Sequence, residues 1–192
     1  VLKHYKKLTD YMDFDHINIS WNQATQQVID GKAAMQFMGD WAKGEFTAAG
    51  LHPDIDYLCI AVPGTADLFS FNIDSFVMFD LNQPEATKAQ QALAKTILSS
   101  EFQQQFNQSK GSIPVRLDAN MDQFDRCAQA SMQAFKNSAQ NGKLLPSISQ
   151  GLATTNQVQN AIHKVVSEYL FSTDLTAEQT AIKLAEAVKE AG

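Results

Sequence analysis

Helical spacing of apolar residues dominates the second half of the chain. Residues 156–171 and 176–191 place apolar side chains at every third or fourth position, and Thr176 suits the N-cap of the second helix. A further helix is predicted to open at Pro84 and to bury one side against the protein. The positions on that side are Ala89, Leu93 and Ile97.

Shorter helical patterns are interleaved with extended ones in the first half. Helices are predicted over 1–12, 22–30, 41–49, 99–110 and 122–137. Gly31 closes the second of these, and the helix over 99–110 is re-capped at Ser99 and ended by Gly111. Strands are predicted over 33–38, 56–62 (cut by Pro63 and Gly64) and 69–79, and residues 144–151 are expected to form an irregular loop. Mixed strands followed mostly by helices predict an α/β fold.

Composition narrows the class of partner. The chain has 192 residues, enough for one domain or two small ones, and a net charge of -6. No basic stripe exists to bind phosphates, which argues against nucleic acid as a partner. No apolar stretch approaches the roughly 20 residues that a membrane-spanning helix needs.

The segment Gly39-Asp40-Trp41 offers candidate binding chemistry. It follows the predicted strand 33–38, and side chains beyond the end of a strand lie at the edge of a sheet, where clefts form. A carboxylate acceptor beside the flat indole complements a sugar ring, which has an apolar face and a rim of hydroxyls. An alternative fits equally well, with Trp41 in the core and Asp40 as a helix N-cap.

Two other charged residues are candidates. Asp74 lies alone among apolar residues in FSFNIDSFVMF, so its carboxylate should be paired, face a polar cleft, or be solvated in a bulge. Lys110 lies at a predicted helix C-terminus, where the helix dipole favours a cation for structural reasons alone. Gly111 and Pro114 mark a chain reversal next to it, a place suited to a cleft or a hinge.

No catalytic or metal-binding pattern emerges. GxSxG, P-loop and GxGxxG sequences are absent, the histidines lack metal-ligand spacing, and no cofactor is expected. Asp40 and Asp74 together fit the two-carboxylate requirement of glycosidases, a weaker alternative. Cys59 and Cys127 are too far apart for a CxxC motif, and either a disulfide or two buried thiols is compatible with them.

Several segments taken together resemble a known family. They are GKAAMQFMGDW (31–41), FSFNIDSFVMF (69–79), the helix pair from Pro84 that ends in KGSIPVR, and residues 145–153 with the two final helices. Their order and spacing are similar to the extracellular solute-binding proteins of sugar ABC transporters, and most closely to glucose/galactose-type proteins of Gram-negative bacteria. The resemblance covers nearly the whole chain and corresponds to the C-terminal half of such proteins.

The resemblance implies an α/β fold of the periplasmic binding protein type II-like kind, with sugar bound between two lobes that close about a hinge. The chain would supply most of the second lobe and a returning segment of the first. Residues 1–62 and 115–192 would form the two parts of the second lobe, and 65–112 the returning segment. Hinge crossings would lie near 63–64 and 113–114.

Individual roles follow from the same resemblance. Trp41 corresponds to a tryptophan that stacks on the sugar, Asp74 to an acid that accepts bonds from its hydroxyls, and Lys110 to a base that donates to them. Asp40 and Asn72 are weaker correspondences. Charged groups form strong, directional hydrogen bonds and help to select an epimer.

Two more positions depend on the resemblance. Gln150 stands where relatives often carry histidine; glutamine can still donate and accept, and the departure leaves the preferred sugar and this contact open. Relatives also carry cysteines near Cys59 and Cys127, which favours a disulfide and an oxidising periplasm.

The resemblance also implies a role in transport. A non-enzymatic monosaccharide-binding protein would deliver its ligand to an ABC permease in the inner membrane. A half-protein should bind sugar weakly or not at all. Its returning segment should expose apolar helix surface and promote self-association.

Overall fold

A computed structural model describes residues 1–12 and 19–192. Across these residues the fold is mostly helical, with one two-stranded sheet and two short 3-10 turns at Thr9–Tyr11 and Asp40–Ala42. The helices are α1 (Leu2–Leu8), α2 (Trp21–Ile29), α3 (Lys43–Ala48), α4 (Pro84–Ile97), α5 (Ser100–Lys110), α6 (Arg126–Gln140), α7 (Asn156–Phe171) and α8 (Ala177–Ala191). The strands are β1 (Phe69–Phe71) and β2 (Leu144–Pro146).

The chain divides into two compact units. Unit 1 comprises Val1–Ile19, Ser70–Asn72 and Leu145–Gly192, and unit 2 comprises Ser20–Phe69 and Ile73–Leu144. The lobe boundaries expected near 63–64 and 113–114 concern the longer proteins of the resemblance and stay predictions. Among the described residues, no helix combines the length and the apolar composition required to span a membrane.

Unit 1 is built around α7 and α8, which pack side by side. The predicted apolar face of α7 is confirmed, since Val158, Val165 and Tyr169 are buried. Thr176 forms the expected N-cap of α8 within a capping box. From α1, the Lys6 ammonium donates to the carbonyl oxygens of Tyr169 and Ser172 at 3.0 and 2.5 Å, which satisfies acceptors at the end of α7.

Unit 2 has its core around the Asp40–Ala42 turn, which contacts both α3 and α6. Its buried apolar residues are Ala42, Phe46, Phe124, Ala128 and Met132.

The predicted re-capping at Ser99 is confirmed, because its hydroxyl accepts the Phe102 N–H. The predicted start of α6 at Asp122 is wrong. Asp125 accepts the Ala128 N–H at 2.8 Å and caps the helix, so α6 begins at Arg126.

Cys59 and Cys127 form a disulfide in unit 2, with their Cα atoms 5.7 Å apart. Of the two states that the sequence leaves open, the structure selects the bridge. It joins the segment after the Pro53–Tyr57 β-bridge to the first turn of α6. The bridge therefore fixes an otherwise irregular stretch to the helix that carries Asp125.

Two of the three predicted strands are not strands. Residues 33–38 and 58–62 have no ladder partner in the described parts of the chain, and only Phe69–Phe71 of the third segment is paired. Its partner β2 lies in a stretch expected to be irregular. The Phe69 N–H donates to Lys143 O at 3.3 Å and the Ser147 N–H to Phe71 O at 2.9 Å, so the two strands run parallel. A strand exists only where a second segment pairs with it, and alternation of residues does not supply that second segment.

The predicted buried face of α4 is also wrong. Leu93 is 50% exposed, Ala89 is exposed, and Ile97 is half-buried. The helix itself opens at Pro84 as expected. Periodicity identifies the apolar side of a helix, but not whether another element covers that side.

Candidate ligand-binding site

Trp41 lies in the 3-10 turn that follows Gly39. A Cβ atom built on Gly39 would lie 2.1 Å from Cζ3 of the indole, so the ring lies directly over this glycine. The backbone of Gly39 has φ -72°, which any residue adopts. Glycine is therefore required at position 39 for space rather than for conformation. The indole is half-buried, so Trp41 is not the fully enclosed core residue of the alternative interpretation.

Asp40 is not an N-cap, which corrects the other half of that interpretation. Gly39 occupies the N-cap position and no side chain caps the turn. The half-buried Asp40 carboxylate instead faces α6, where the Ser131 hydroxyl donates to Oδ2 at a long 3.5 Å.

Burial raises the pKa of the Asp40 carboxyl above its usual range. Four groups act in the opposite direction and favour the ionised carboxylate. They are the positive charge of Lys43, the Ser131 hydroxyl, a hydrogen bond from the Ile113 backbone and the charge of Lys110. The net rise means that desolvation outweighs these partners. Because the charge of Lys110 acts on Asp40, this carboxylate lies near the end of α5.

Two glycines bring α3 and α5 together. A Cβ on Gly44 would lie 2.8 Å from the carbonyl oxygen of Lys110, and one on Gly111 would lie 2.6 Å from the backbone nitrogen of Gly44. Gly111 also ends α5 in a left-handed conformation, with φ 88°, as expected for a helix C-cap. This backbone contact holds Lys110 beside the helix that follows the Asp40–Trp41 turn.

Lys110 and Asp74 form an ion pair. The Asp74 side chain is 67% exposed and that of Lys110 is 34% exposed, while the Lys110 ammonium also lies 5.8 Å from the centre of the Phe106 ring. Of the three arrangements considered for Asp74, the structure shows a paired carboxylate at the surface. An ammonium has three donors and a carboxylate about four acceptor positions.

The two remaining candidates lie in unit 1. Asn72 is half-buried directly after β1, and Gln150 is exposed in the turn after β2, where its backbone N–H donates to Ser147 Oγ at 3.3 Å. Unit 2 thus contains four of the six predicted residues, and unit 1 contains two.

Sequence reasoning missed the most buried cation near the turn. Lys43 begins α3, its side chain is only 6% exposed, and its ammonium lies 2.9 and 2.7 Å from the two carboxylate oxygens of Asp125. Lysines are rarely buried, so residue type gave no indication. The one available signal was the cap preference of Asp125 ahead of Arg126-Cys127-Ala128.

Unit 1 also has an open depression of about 630 Å³. Its walls come from α1, α7 and the segment that follows β2, and include Tyr5, Ser147, His163 and Leu170. None of the six predicted residues lines it. Within the part of the chain that the structure describes, no three His, Cys, Asp or Glu residues are grouped as a metal site.

Comparison with known proteins identifies the family of this chain. Residues 1–132 match the family described as bacterial extracellular solute-binding protein. The chain belongs to this family.

Among its relatives, this solute-binding protein is 40% identical over 185 residues to a probable sugar-binding periplasmic protein of Brucella suis. A probable sugar-binding periplasmic protein of Rhizobium meliloti is 39% identical over 185 residues. Both alignments cover 96% of this chain and 44% of the relative. An uncharacterized ABC transporter extracellular-binding protein of Pyrococcus horikoshii is 35% identical over 183 residues, or 95% of this chain and 40% of the relative. The chain therefore spans less than half the length of these curated relatives.

Proposed function

We propose that this solute-binding protein binds a monosaccharide of the glucose/galactose type and, in the periplasm of a Gram-negative bacterium, delivers it to an ABC importer without transforming it. The observation that carries the proposal is the packing of α3 on the end of α5, which holds the Asp40–Trp41 turn close to the Lys110–Asp74 pair. The relatives named as sugar-binding periplasmic and ABC transporter binding proteins support both the ligand class and the transport role.

The chemistry of these groups suits a sugar. The indole of Trp41 provides an apolar face for the C–H side of a pyranose ring. Lys110 donates and Asp74 accepts, so neighbouring hydroxyls can bridge the pair without separating it. Asn72 and Gln150 stay proposed ligand contacts, each with a side-chain amide that can donate and accept. Because each polar group rejects a ligand that leaves it unpaired, such a site discriminates between epimers.

We also propose that the chain corresponds to the C-terminal half of a two-lobed protein. The support is the order of the segments that resemble the family and the 44% share of the Brucella and Rhizobium relatives that it spans. A cleft needs both walls, so residues 1–192 by themselves should bind sugar weakly or not at all.

Isothermal titration calorimetry tests the proposal. Residues 1–192 and the longest natural polypeptide that contains them are titrated with glucose, galactose, mannose and xylose. Binding by the longer form should weaken roughly tenfold or more in Trp41→Ala and in Asp74→Ala, the range typical of residues that dominate binding. The matched controls are Trp21→Ala in α2 and Asp67→Ala in the surface pair with Lys143, which should bind like the parent.

Two outcomes would overturn parts of this proposal. Absence of binding by the longer form to all four sugars would refute the ligand class. Micromolar binding by residues 1–192 would refute the requirement for a second lobe.

A glycosidase that uses Asp40 and Asp74 is the second candidate. It is favoured by one feature, the pKa of the Asp40 carboxyl, which burial raises, because a raised pKa is the direction that the general acid of a glycosidase needs. Incubation of the longer form with disaccharides decides between the two. Release of monosaccharide that disappears in Asp40→Asn would establish an enzyme, whereas saturable binding without turnover supports the transport protein.

A further inference from the structure

Lys43, whose side chain is buried, pairs with Asp125, whose side chain is 38% exposed, beside the turn that carries Trp41. Lys43 is the residue immediately after the Asp40–Ala42 turn, two positions beyond the indole. Its ammonium contacts both oxygens of Asp125, and the same carboxylate accepts the Ala128 N–H as the N-cap of α6. One side chain thus links the end of the turn to the start of α6.

The base of the Lys43 side chain is also constrained. A Cβ on Gly111 would lie 3.0 Å from the Cβ of Lys43, so the chain at the end of α5 packs against the base of this side chain. The first residue of α3 is therefore held between α5 and α6. The disulfide at Cys127 lies two residues beyond Asp125, and Phe46 of α3 contacts Tyr57 with ring centres 4.3 Å apart.

A buried ammonium is an inefficient way to stabilise a fold. Desolvation of the ammonium offsets much of its attraction to the carboxylate, and an apolar residue of similar volume often stabilises a protein as well or better. The pair does, however, restrict geometry, because an ammonium between two carboxylate oxygens has few alternative positions.

We propose that Lys43 is a positioning residue of the sugar site, which acts through Asp125 to hold the Asp40–Trp41 turn in its binding orientation. The inference rests on the proposed function for its effect on affinity. Its effect on Trp41 can be measured without any ligand.

The key variant is the double substitution Lys43→Met with Asp125→Asn. It removes both charges, so neither ion is left without its partner, and asparagine retains the N-cap of α6. The double variant should therefore fold and melt close to the parent, whereas Lys43→Met alone leaves Asp125 without its cation and should melt lower. Lys32→Met, in an exposed pair with Asp30, is the matched control for loss of a lysine.

The primary readout is acrylamide quenching of Trp41 fluorescence. The chain has two tryptophans, so Trp21→Phe in every variant isolates the signal. The Trp41 quenching constant should change in Lys43→Met and remain changed in the double variant, return towards the parent in Lys43→Arg, and stay unchanged in Lys32→Met. A parent-like quenching constant in a folded double variant would overturn the proposal and leave the pair a purely structural one.

Affinity provides the second readout, in the longest natural polypeptide that contains the chain. The Kd for the sugar bound by the parent should rise roughly tenfold in the double variant and remain within about twofold in Lys32→Met. An unchanged Kd together with changed quenching would refute the positioning role. If no sugar binds to the parent, the proposed function fails, while the quenching result still decides whether Lys43 orients Trp41.

Discussion

A β-carbon placed on Gly111 would lie 2.6 Å from the backbone nitrogen of Gly44, so the two main chains touch with no side chain between them. This contact brings Lys110 to the helix that follows Trp41. Two residues without side chains thus determine how close the proposed sugar-binding groups can come.

The contact predicts a specific cost for alanine at position 111. Gly111→Ala must adopt a left-handed conformation, which costs roughly 1–2 kcal/mol, and must also displace α3, which adds about 1–3 kcal/mol. Gly142 is a matched control, since its φ is 64° and nothing lies within 4 Å of its built Cβ. Urea unfolding should show a larger loss for Gly111→Ala. Equal losses would mean that the Gly44 contact contributes nothing.

The disulfide predicts a redox-dependent stability. Cys59 and Cys127 are separated by 68 residues, and closing a loop of that size stabilises a chain by about 4 kcal/mol in the entropic account. The Cys59→Ser/Cys127→Ser variant should unfold at a lower urea concentration than the parent. A reductant should lower the midpoint of the parent to that of the variant and leave the variant unchanged. An identical midpoint for parent and variant without reductant would contradict this prediction.

Asp40 predicts an unusual dependence of stability on pH. Because burial raises its pKa in the folded state above 3.8, the folded protein holds this proton more tightly than the unfolded chain. Ionisation of Asp40 therefore lowers the free energy of unfolding at neutral pH, and this loss is recovered as the pH falls through the folded-state pKa towards 3.8.

Thermal melts of Asp40→Asn should thus show a higher melting temperature than the parent at pH 7. The difference should shrink on acidification, because both side chains are then neutral. A difference of constant size across the acid range would assign it to packing rather than to ionisation.

Exposed apolar side chains of unit 2 predict self-association of residues 1–192. Leu93 on α4 is 50% exposed, and Phe76, Val77 and Phe79 of the preceding segment are each more than 60% exposed. Monomeric proteins rarely leave such groups of side chains uncovered. Sedimentation at increasing concentration should show a rising average mass that is reduced in Leu93→Lys. Ile182→Lys changes a similarly exposed residue in α8 and should have no effect. A parent that stays monomeric at high concentration would contradict the prediction.

Helix boundaries were largely readable from the sequence. Pro84 at the first position of α4, Ser99 ahead of α5 and Thr176 ahead of α8 act through hydrogen bonds within a few residues, so local sequence is sufficient to place them. Asp125 obeys the same rule but competes with Asp122, and only the bond to Ala128 distinguishes them.

The residues of the candidate site were predictable from the sequence, whereas their pairing was not. The sequence singled out Trp41, Asp74 and Lys110 as chemically suited to a sugar, and their roles stay a proposal. The pairing of Asp74 with Lys110 spans 36 residues, and that of Lys43 with Asp125 spans 82. No local pattern encodes such partners, because they meet only when segments that are distant along the chain pack together.

The sequence by itself determined where the chain forms helices, which family it resembles and which side chains could contact a ligand. Tertiary structure alone decided that Cys59 bonds to Cys127, that Lys43 is buried, and that residues 33–38 and 58–62 are not strands. The physical reason is the separation, along the chain, of the residues that interact. Caps and helix periodicity are satisfied by neighbours along the chain, whereas strands, buried ion pairs and disulfides require a partner from elsewhere in the fold.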